Sequence, residues 1–347
     1  MSVFIIAEAG INHNGDEAMA FKLIDVAVNT GADAVKFQTF KASDLVGKHN
    51  VDRYNQLKNL ELSYEFHHKL FKYCQARKIV FLSTAFAIEG VDFLVNNLKL
   101  KTLKVSSGDL NNAPLLLAFA EKKCQLIVST GLATLAEIEE ALGIIAFGLI
   151  DGENPSADAF KSAYYSVAGQ QSLKNKVTLL HCTTEYPAPL KDINLNAITT
   201  LQQAFNLRTG YSDHSEGIVV PIVAASLGAI VIEKHITLDQ SLPGPDQSMS
   251  IEPDELKLMV EGIRATELIM GDGLKLPQAS EIPYLSIARR SLVANKAIKK
   301  GELFTPENLT TKRPANGLSP NQYWSLLNTI SSKDYAEGDM IVMYSNS

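Results

Sequence analysis

The chain has 347 residues, of which 46% are hydrophobic and 20% charged, and its formal net charge is −6. That is enough chain for two domains and a large core, while the acidic balance excludes the basic face that nucleic acid or an anionic membrane would need. Cys74, Cys124 and Cys182 are odd in number, far apart and without a CxxC pair, which predicts reduced, buried thiols in a cytoplasmic protein.

The N-terminal MSVFIIAEAG has no basic leader and reaches Glu8 after a brief apolar run, so it reads as a strand and not as a signal peptide. Short runs rich in Val, Ile, Leu and Phe recur at Val3–Glu8, Ala34–Phe40, Ile79–Phe86, Thr102–Ser107, Leu126–Thr130, Val177–Thr184, Leu207–Ser212 and Ala229–Ile236. Between them, Ala18–Asn29, Ser63–Arg77, Glu89–Asn97, Pro114–Lys122, Leu135–Ile145 and Leu195–Phe205 carry apolar residues three and four apart, the period of amphipathic helices. Thr134 with Glu137 predicts an N-cap for one helix, and Asp192 and Asn194 predict one for another. Eight strands alternating with helices predict an α/β fold, a (β/α)8 TIM barrel. The longest apolar stretch, within Ile218 to Ile232, is broken by Pro221, Ser226 and Gly228 and is too short to span a bilayer.

Two segments break the rhythm. Phe147 to Lys176, with a tail rich in Ser, Gln and Asn, reads as a loop-like insertion without recognisable chemistry. Prolines and polar residues mark 271–287 as a linker between a barrel domain, 1–270, and a small unit of strands and turns, 288–347.

The strands turn polar at their C-terminal ends, where this fold builds its active site. Lys36 with Gln38, Ser212 with His214, and Glu233 with His235 are each two residues apart, so each pair shares one face of its strand. Two neutral imidazoles at one rim, His214 and His235, can hold a divalent metal when carboxylates or waters complete the shell. A lone histidine is more often a hydrogen-bonded structural residue; the lysines and serines around this pair are what favour the ligand role. Lys36 and Lys104, among Thr84, Ser107, Ser129 and Ser212, suit a phosphate and a carboxylate together, against the alternative of lysines that snorkel to solvent. Glu8 and Asp109 are candidates for proton transfer or hydroxyl binding, or else turn caps, and Asp246 is either a plain turn residue or a ligand for hydroxyls.

The motifs IIAEAGINHNG, AVKFQTFKA, LSTAF, SSGDLNN, STG, HCTTEYPAP, GYSDHSEG, EKHITLD, GPD and TKRPANGLSP follow one another in an order that resembles the bacterial sialic acid (nonulosonic acid) synthases over nearly the whole chain. The resemblance implies a C-terminal SAF (antifreeze-like) domain and a metal-dependent condensation of phosphoenolpyruvate with an N-acetylated hexose, releasing phosphate. It implies that His214 and His235 bind Mn²⁺ or Mg²⁺, and that Lys36, Thr84, Lys104, Ser107, Ser129, Thr184 and Ser212 hold phosphoenolpyruvate. Glu8, Gln38, Tyr186 and Asp246 would face the sugar, with Glu8, Lys36, Lys104 and Asp109 as the catalytic set. Arg313 would reach the sugar's N-acyl group from the partner in a domain-swapped homodimer.

The expected acceptor is N-acetylmannosamine, giving N-acetylneuraminate; the close alternative is the 2,4-diacetamido-6-deoxymannose that gives N,N'-diacetyllegionaminate. GPD and INHNG favour either of these over a pseudaminic substrate. Asp109 in place of a common Glu, Ala85 in place of Pro, Gln247 in place of His and a short loop at Lys41 to Leu62 depart from the family pattern. Two rival readings have their own signatures. A Schiff-base aldolase using Lys36 or Lys104 would trap pyruvate on borohydride treatment, and a non-catalytic carbohydrate-binding protein would bind sugar without consuming phosphoenolpyruvate.

Overall fold

The computed structural model describes residues 2–47 and 49–342. Eight parallel strands close on themselves in chain order: β1 (Phe4–Gly10), β2 (Ala34–Thr39), β3 (Val80–Ala85), β4 (Thr102–Val105), β5 (Gln125–Ser129), β6 (Val177–His181), β7 (Arg208–Asp213) and β8 (Val231–His235). All eight expected strands are present, and β1 pairs with both β2 and β8 to complete the barrel. Side chains alternate across each strand. One face contributes Ile6, Ala34, Leu82, Ile127, Leu180 and Val231, one from each of six strands, to a cluster that fills the barrel. The other face, including Ile5, Phe37, Leu103, Val128, Leu179, Tyr211 and Ile232, packs on the helices in the main core. Gly210 makes room inside: a Cβ there would lie 2.4 Å from the Val231 carbonyl oxygen and 2.6 Å from Leu180 Cδ2.

The helices form where the apolar period is strong and a cap is available. Glu17–Asn29 buries Ala20, Leu23, Ile24 and Ala27, and Asp16 caps it by accepting from the Ala18 and Met19 amides. Thr134 and Glu137 form the reciprocal capping box at the start of Leu135–Leu149. The caps expected from Asp192 and Asn194 are not made. Helix Asn196–Phe205 begins after Leu195 with no side-chain cap, because Asp192 closes a preceding 3₁₀ turn and Asn194 takes a left-handed conformation.

The expected loop-like insertion is also corrected. Its first residues prolong Leu135–Leu149, and two further helices, Ala157–Tyr165 and Val167–Lys176, follow, capped by Ser156 and Ser166. They bury only Ala163, Gly169 and Leu173, too little apolar surface to impose a readable period. The loop after β2 likewise holds two short helices, Ala42–Leu45 and Val51–Lys58.

The chain divides into two compact units after Gly271. In the second, β9 (Ser291–Ala294) and β10 (Leu309–Lys312) pair antiparallel over a small core of Leu292, Ala294, Ile298, Phe304, Leu309, Tyr335 and Ile341. The stretch 343–347, which the sequence reading assigns to this domain, lies outside the described residues. Among the described residues no helix is long and apolar enough to cross a membrane. Cys74, Cys124 and Cys182 are free and buried, and burial pushes the Cys74 thiol up to about 12.

His13, in the turn after β1, is fully buried, and its Nδ1 accepts from the Gly15 amide at 3.0 Å. Burial, helped by nearby His67 and opposed by Asp16, lowers its pKa from 6.5 to about 4. Between those values the unfolded chain binds the proton and the folded one does not. Stability is therefore full above the unfolded value and falls as pH drops through the window, by about 3 kcal/mol from this residue. Urea unfolding at pH 7.5 and pH 4.5 should show the loss, and His13→Asn, which keeps an acceptor for Gly15, should flatten it. An unchanged pH slope in that variant would place the acid sensitivity elsewhere.

Candidate active site

Above the apolar plug the inner face becomes charged, and the strand register sets the new side chains level with one another. Glu8 lies opposite both Lys36 and His235, Thr84 opposite Lys104, and Ser212 opposite Glu233. With the loops beyond the strand ends they line a cavity of about 550 Å³. Thirteen of the expected site residues meet there: Glu8, Lys36, Gln38, Thr84, Lys104, Ser107, Ser129, Thr184, Tyr186, Ser212, His214, His235 and Asp246. Two do not. Asp109 is turned into a 3₁₀ turn, where its Oδ1 accepts from Asn112 Nδ2 at 3.4 Å, and Arg313 belongs to the second unit.

At the floor, two ammonium groups and two carboxylates are buried together. Lys36 Nζ is 2.7 Å from Glu8 Oε2, 3.6 Å from Glu233 Oε2 and 3.0 Å from Thr84 Oγ1. Lys104 Nζ is 3.6 Å from Glu233 Oε1 and donates to Ser129 Oγ at 2.7 Å and the Val105 carbonyl at 3.1 Å. Glu233 also accepts from Ser212 Oγ at 2.9 Å. Burial alone would raise its pKa, but Lys104 and Lys36 together bring it down to about 2. Glu8 goes the other way. Burial and the charge of Glu233 outweigh Lys36 and raise it to about 8, so one carboxyl of the pair keeps a proton near neutrality while the other is ionised. Burial lowers the Lys104 pKa, whereas Glu233 and Glu8 hold that of Lys36 up against the same burial. Glu233 is absent from the expected site set, although its spacing from His235 puts both on the inner face.

The corner beyond β4, β5 and β6 is shaped for close approach. A Cβ on Gly131 would fall 2.3 Å from Thr184 Oγ1 and 2.9 Å from both Ser107 Oγ and Cys182 Sγ, so only glycine fits between these groups. The Gly131 amide donates to Ser107 Oγ at 3.0 Å. Thr184 Oγ1 is buried without a hydrogen-bond partner. Hydroxyls and the Lys104 ammonium, which Glu233 meets from the other side at 3.6 Å, converge at this corner and can take an anion.

On the other side, the His214 and His235 ring centroids are 5.5 Å apart, and the Tyr186 ring lies 4.2 Å from that of His214. His214 Nδ1 donates to the Thr183 carbonyl at 2.7 Å, which leaves the lone pair on Nε2. Burial lowers both histidines, His235 well below its ordinary value, so both rings are neutral, the form that binds metal. His235 Nδ1 has no hydrogen-bond partner, and Asp246 Oδ2 stands 3.8 Å away. Burial raises Asp246 to about 6, while Arg53 and Lys36 pull the other way. Among the described residues no three His, Cys, Asp or Glu side chains gather into a ready-made shell. Two neutral imidazoles, one of them oriented through the Thr183 carbonyl, with an adjacent carboxylate nonetheless fit a divalent ion whose other positions water or substrate fills.

Gln247, one of the departures from the expected family pattern, is buried. Its Nε2 donates to the Asn12 carbonyl at 3.0 Å, and its Oε1 accepts from Thr237 Oγ1. It braces the turn after β1 and does not line the cavity.

Residues 23–275 match the NeuB family and residues 289–343 match the SAF domain. The chain belongs to the NeuB family. It is 44% identical to the N,N'-diacetyllegionaminic acid synthase of Campylobacter jejuni, over 97% of this chain and 98% of that one. With the synthase of the same name from Legionella pneumophila it shares 41% identity, over 99% and 94% of the two chains. Its fold resembles that of the N-acetylneuraminic acid synthetase of Leptospira borgpetersenii, solved with citrate, with a TM-score of 0.71 and 36% identity over 82% and 90% of the chains. As a member of this family the chain is an enzyme, a synthase with a TIM barrel and a C-terminal SAF domain.

Proposed function

We propose that this synthase condenses phosphoenolpyruvate with a 2,4-diacetamido-6-deoxymannose to give N,N'-diacetyllegionaminate and phosphate. The observation that carries the reading is identity of 44% and 41% over nearly the full length with two legionaminic acid synthases, against 36% over 82% of this chain with the neuraminic acid enzyme. The order of acceptors expected from sequence, with N-acetylmannosamine first, is therefore reversed.

Phosphoenolpyruvate fits the corner of Lys104, Ser107, Ser129 and Thr184, and Lys36 with Thr84 continues that surface toward β2. The aldehyde end of the acceptor belongs between this corner and His214 and His235, and holding the two reactants at such a distance is itself a large part of catalysis. A divalent metal on the imidazoles would act as a Lewis acid toward the aldehyde oxygen. As C3 of the enolpyruvate bonds to that carbon, the oxygen left behind needs a proton, and Glu8, raised to about 8 by burial, has one to give. Water then adds to the oxocarbenium-like C2, and the C–O bond to phosphate breaks. Glu8, now a carboxylate beside Lys36, can take the proton that the water sheds. Asp109, held by Asn112 away from the cavity, is less suited to either step.

The reading extends to a cytoplasmic homodimer in which a second copy supplies its Arg313. Arg313 is exposed in the SAF unit, as a residue awaiting a ligand would be. Mixing His235→Ala chains with Arg313→Ala chains should then restore activity, since one site of the heterodimer regains both groups. Confirmed heterodimers without recovery would confine Arg313 to its own chain.

The experiment that tests the reaction is mass spectrometry of products with phosphoenolpyruvate and both aldoses offered in competition. N,N'-diacetyllegionaminate should dominate, with one phosphate released per product. N-acetylneuraminate as the main product would overturn the acceptor, and sugar binding without phosphate release would overturn the activity.

A further inference from the structure

The strand order divides the cavity into sectors. The anion-binding hydroxyls and Lys104 stand at β4 to β6 and the imidazoles at β7 and β8, which leaves the sector above β1 to β3. Its upper wall is of another kind. Ile11 follows β1, Leu45 and Leu57 come from the two short helices after β2, Val46 directly follows the first of them, and Phe86 follows β3; all five line the cavity and pack as one apolar cluster. Arg53, on the same helix as Leu57, also lines the cavity, and its Nη1 donates to Gln56 Oε1 at 2.7 Å.

An acceptor whose C1 lies between the imidazoles and the enolpyruvate must run its other end into this remaining sector. The geometry points to Leu45, Val46 and Phe86 as the surface that receives the C6 end of the acceptor and selects a methyl over a hydroxymethyl, with Arg53 donating to the carbonyl of the C4 acetamido group. This rests on the acceptor proposed above. A hydroxyl pressed on that wall gives up water and gains no partner. Apolar pockets reject an added hydroxyl by about 10²-fold at most, so a preference of roughly tenfold or more is expected. The guanidinium adds a donor that the acyl group at C4 uses, so its loss weighs more on the diacetamido sugar than on an acceptor without a C4 amide, which feels only the change in charge near Asp246.

The test is kcat/KM for the two aldoses, 2,4-diacetamido-6-deoxymannose and N-acetylmannosamine, in wild type, Val46→Thr and Arg53→Ala, with thermal midpoints as a check on folding. Val46→Thr keeps the volume and offers a hydroxyl, so the preference should shrink about three- to tenfold, through KM for the aldose and not for phosphoenolpyruvate. Arg53→Ala should raise KM for the diacetamido sugar by a similar factor more than for N-acetylmannosamine. If folded variants both leave the ratio at its wild-type value, or slow the two aldoses equally, the wall does not select. A wild-type enzyme that prefers N-acetylmannosamine would instead overturn the acceptor reading, and this inference with it.

Discussion

Alanine in place of either His214 or His235 is expected to lower kcat/KM by about 10³-fold or more, and chelation of the wild type should do the same until Mn²⁺ or Mg²⁺ is returned. The two rings are neutral because they are buried, and one is already oriented through the Thr183 carbonyl. Such preparation has little purpose for a pair that only packs. The variants should also retain less metal after gel filtration, measured by elemental mass spectrometry, while their circular dichroism stays that of the wild type. Full activity after exhaustive chelation would remove the metal role and leave the histidines as hydrogen-bonding groups. The Thr183 carbonyl offers a finer comparison. His214→Asn keeps a donor for it but loses the imidazole lone pair, so it should fall with the alanine variant and not recover.

Much of this site is legible in the sequence because parallel strands, buried on both faces, tolerate polar residues poorly except at their ends. Lys36 between Val35 and Phe37, and Lys104 between Leu103 and Val105, announce themselves by that contrast. Glu233 is harder. It stands in the run Glu233-Lys234-His235, which reads as one charged cluster, yet strand alternation sends Glu233 and His235 to the cavity and Lys234 to the helix layer. Arg53 leaves no signal, since it lies in the loop after β2 and reaches the cavity only through the fold of two short helices. Asp109 shows the opposite failure. Its motif places it beside Ser107, but the 3₁₀ turn commits its carboxylate to Asn112. The helices at Ala157–Tyr165 and Val167–Lys176 are hidden for an energetic reason: they depend on serine caps and few buried side chains, so hydrophobic period carries little of their information.

The same alternation leads to the second large effect. Lys234 and Asp213 are wholly buried on the outer face of β8 and β7, 2.6 Å apart. Lys234 also donates to the Ser215 carbonyl, and Asp213 Oδ1 accepts from the Ser215 amide at 3.0 Å, Ser215 Oγ at 2.8 Å and the Tyr211 hydroxyl at 3.2 Å. Each charge is satisfied only by this set. Lys234→Met strands a buried carboxylate, and Asp213→Asn strands a buried ammonium, so each should cost about 3–5 kcal/mol in urea unfolding. The double variant removes both charges and keeps a side-chain amide oxygen in place to accept from Ser215, so its loss should fall short of the sum by about 2 kcal/mol. Ser212 and His214 flank Asp213, while Glu233 and His235 flank Lys234, all four on the cavity side. The pair therefore pins the two strands that carry the imidazoles, and the double variant should recover stability more fully than kcat/KM. Losses that add to within about 0.5 kcal/mol would mean the two charges act independently and the strands are held by packing alone.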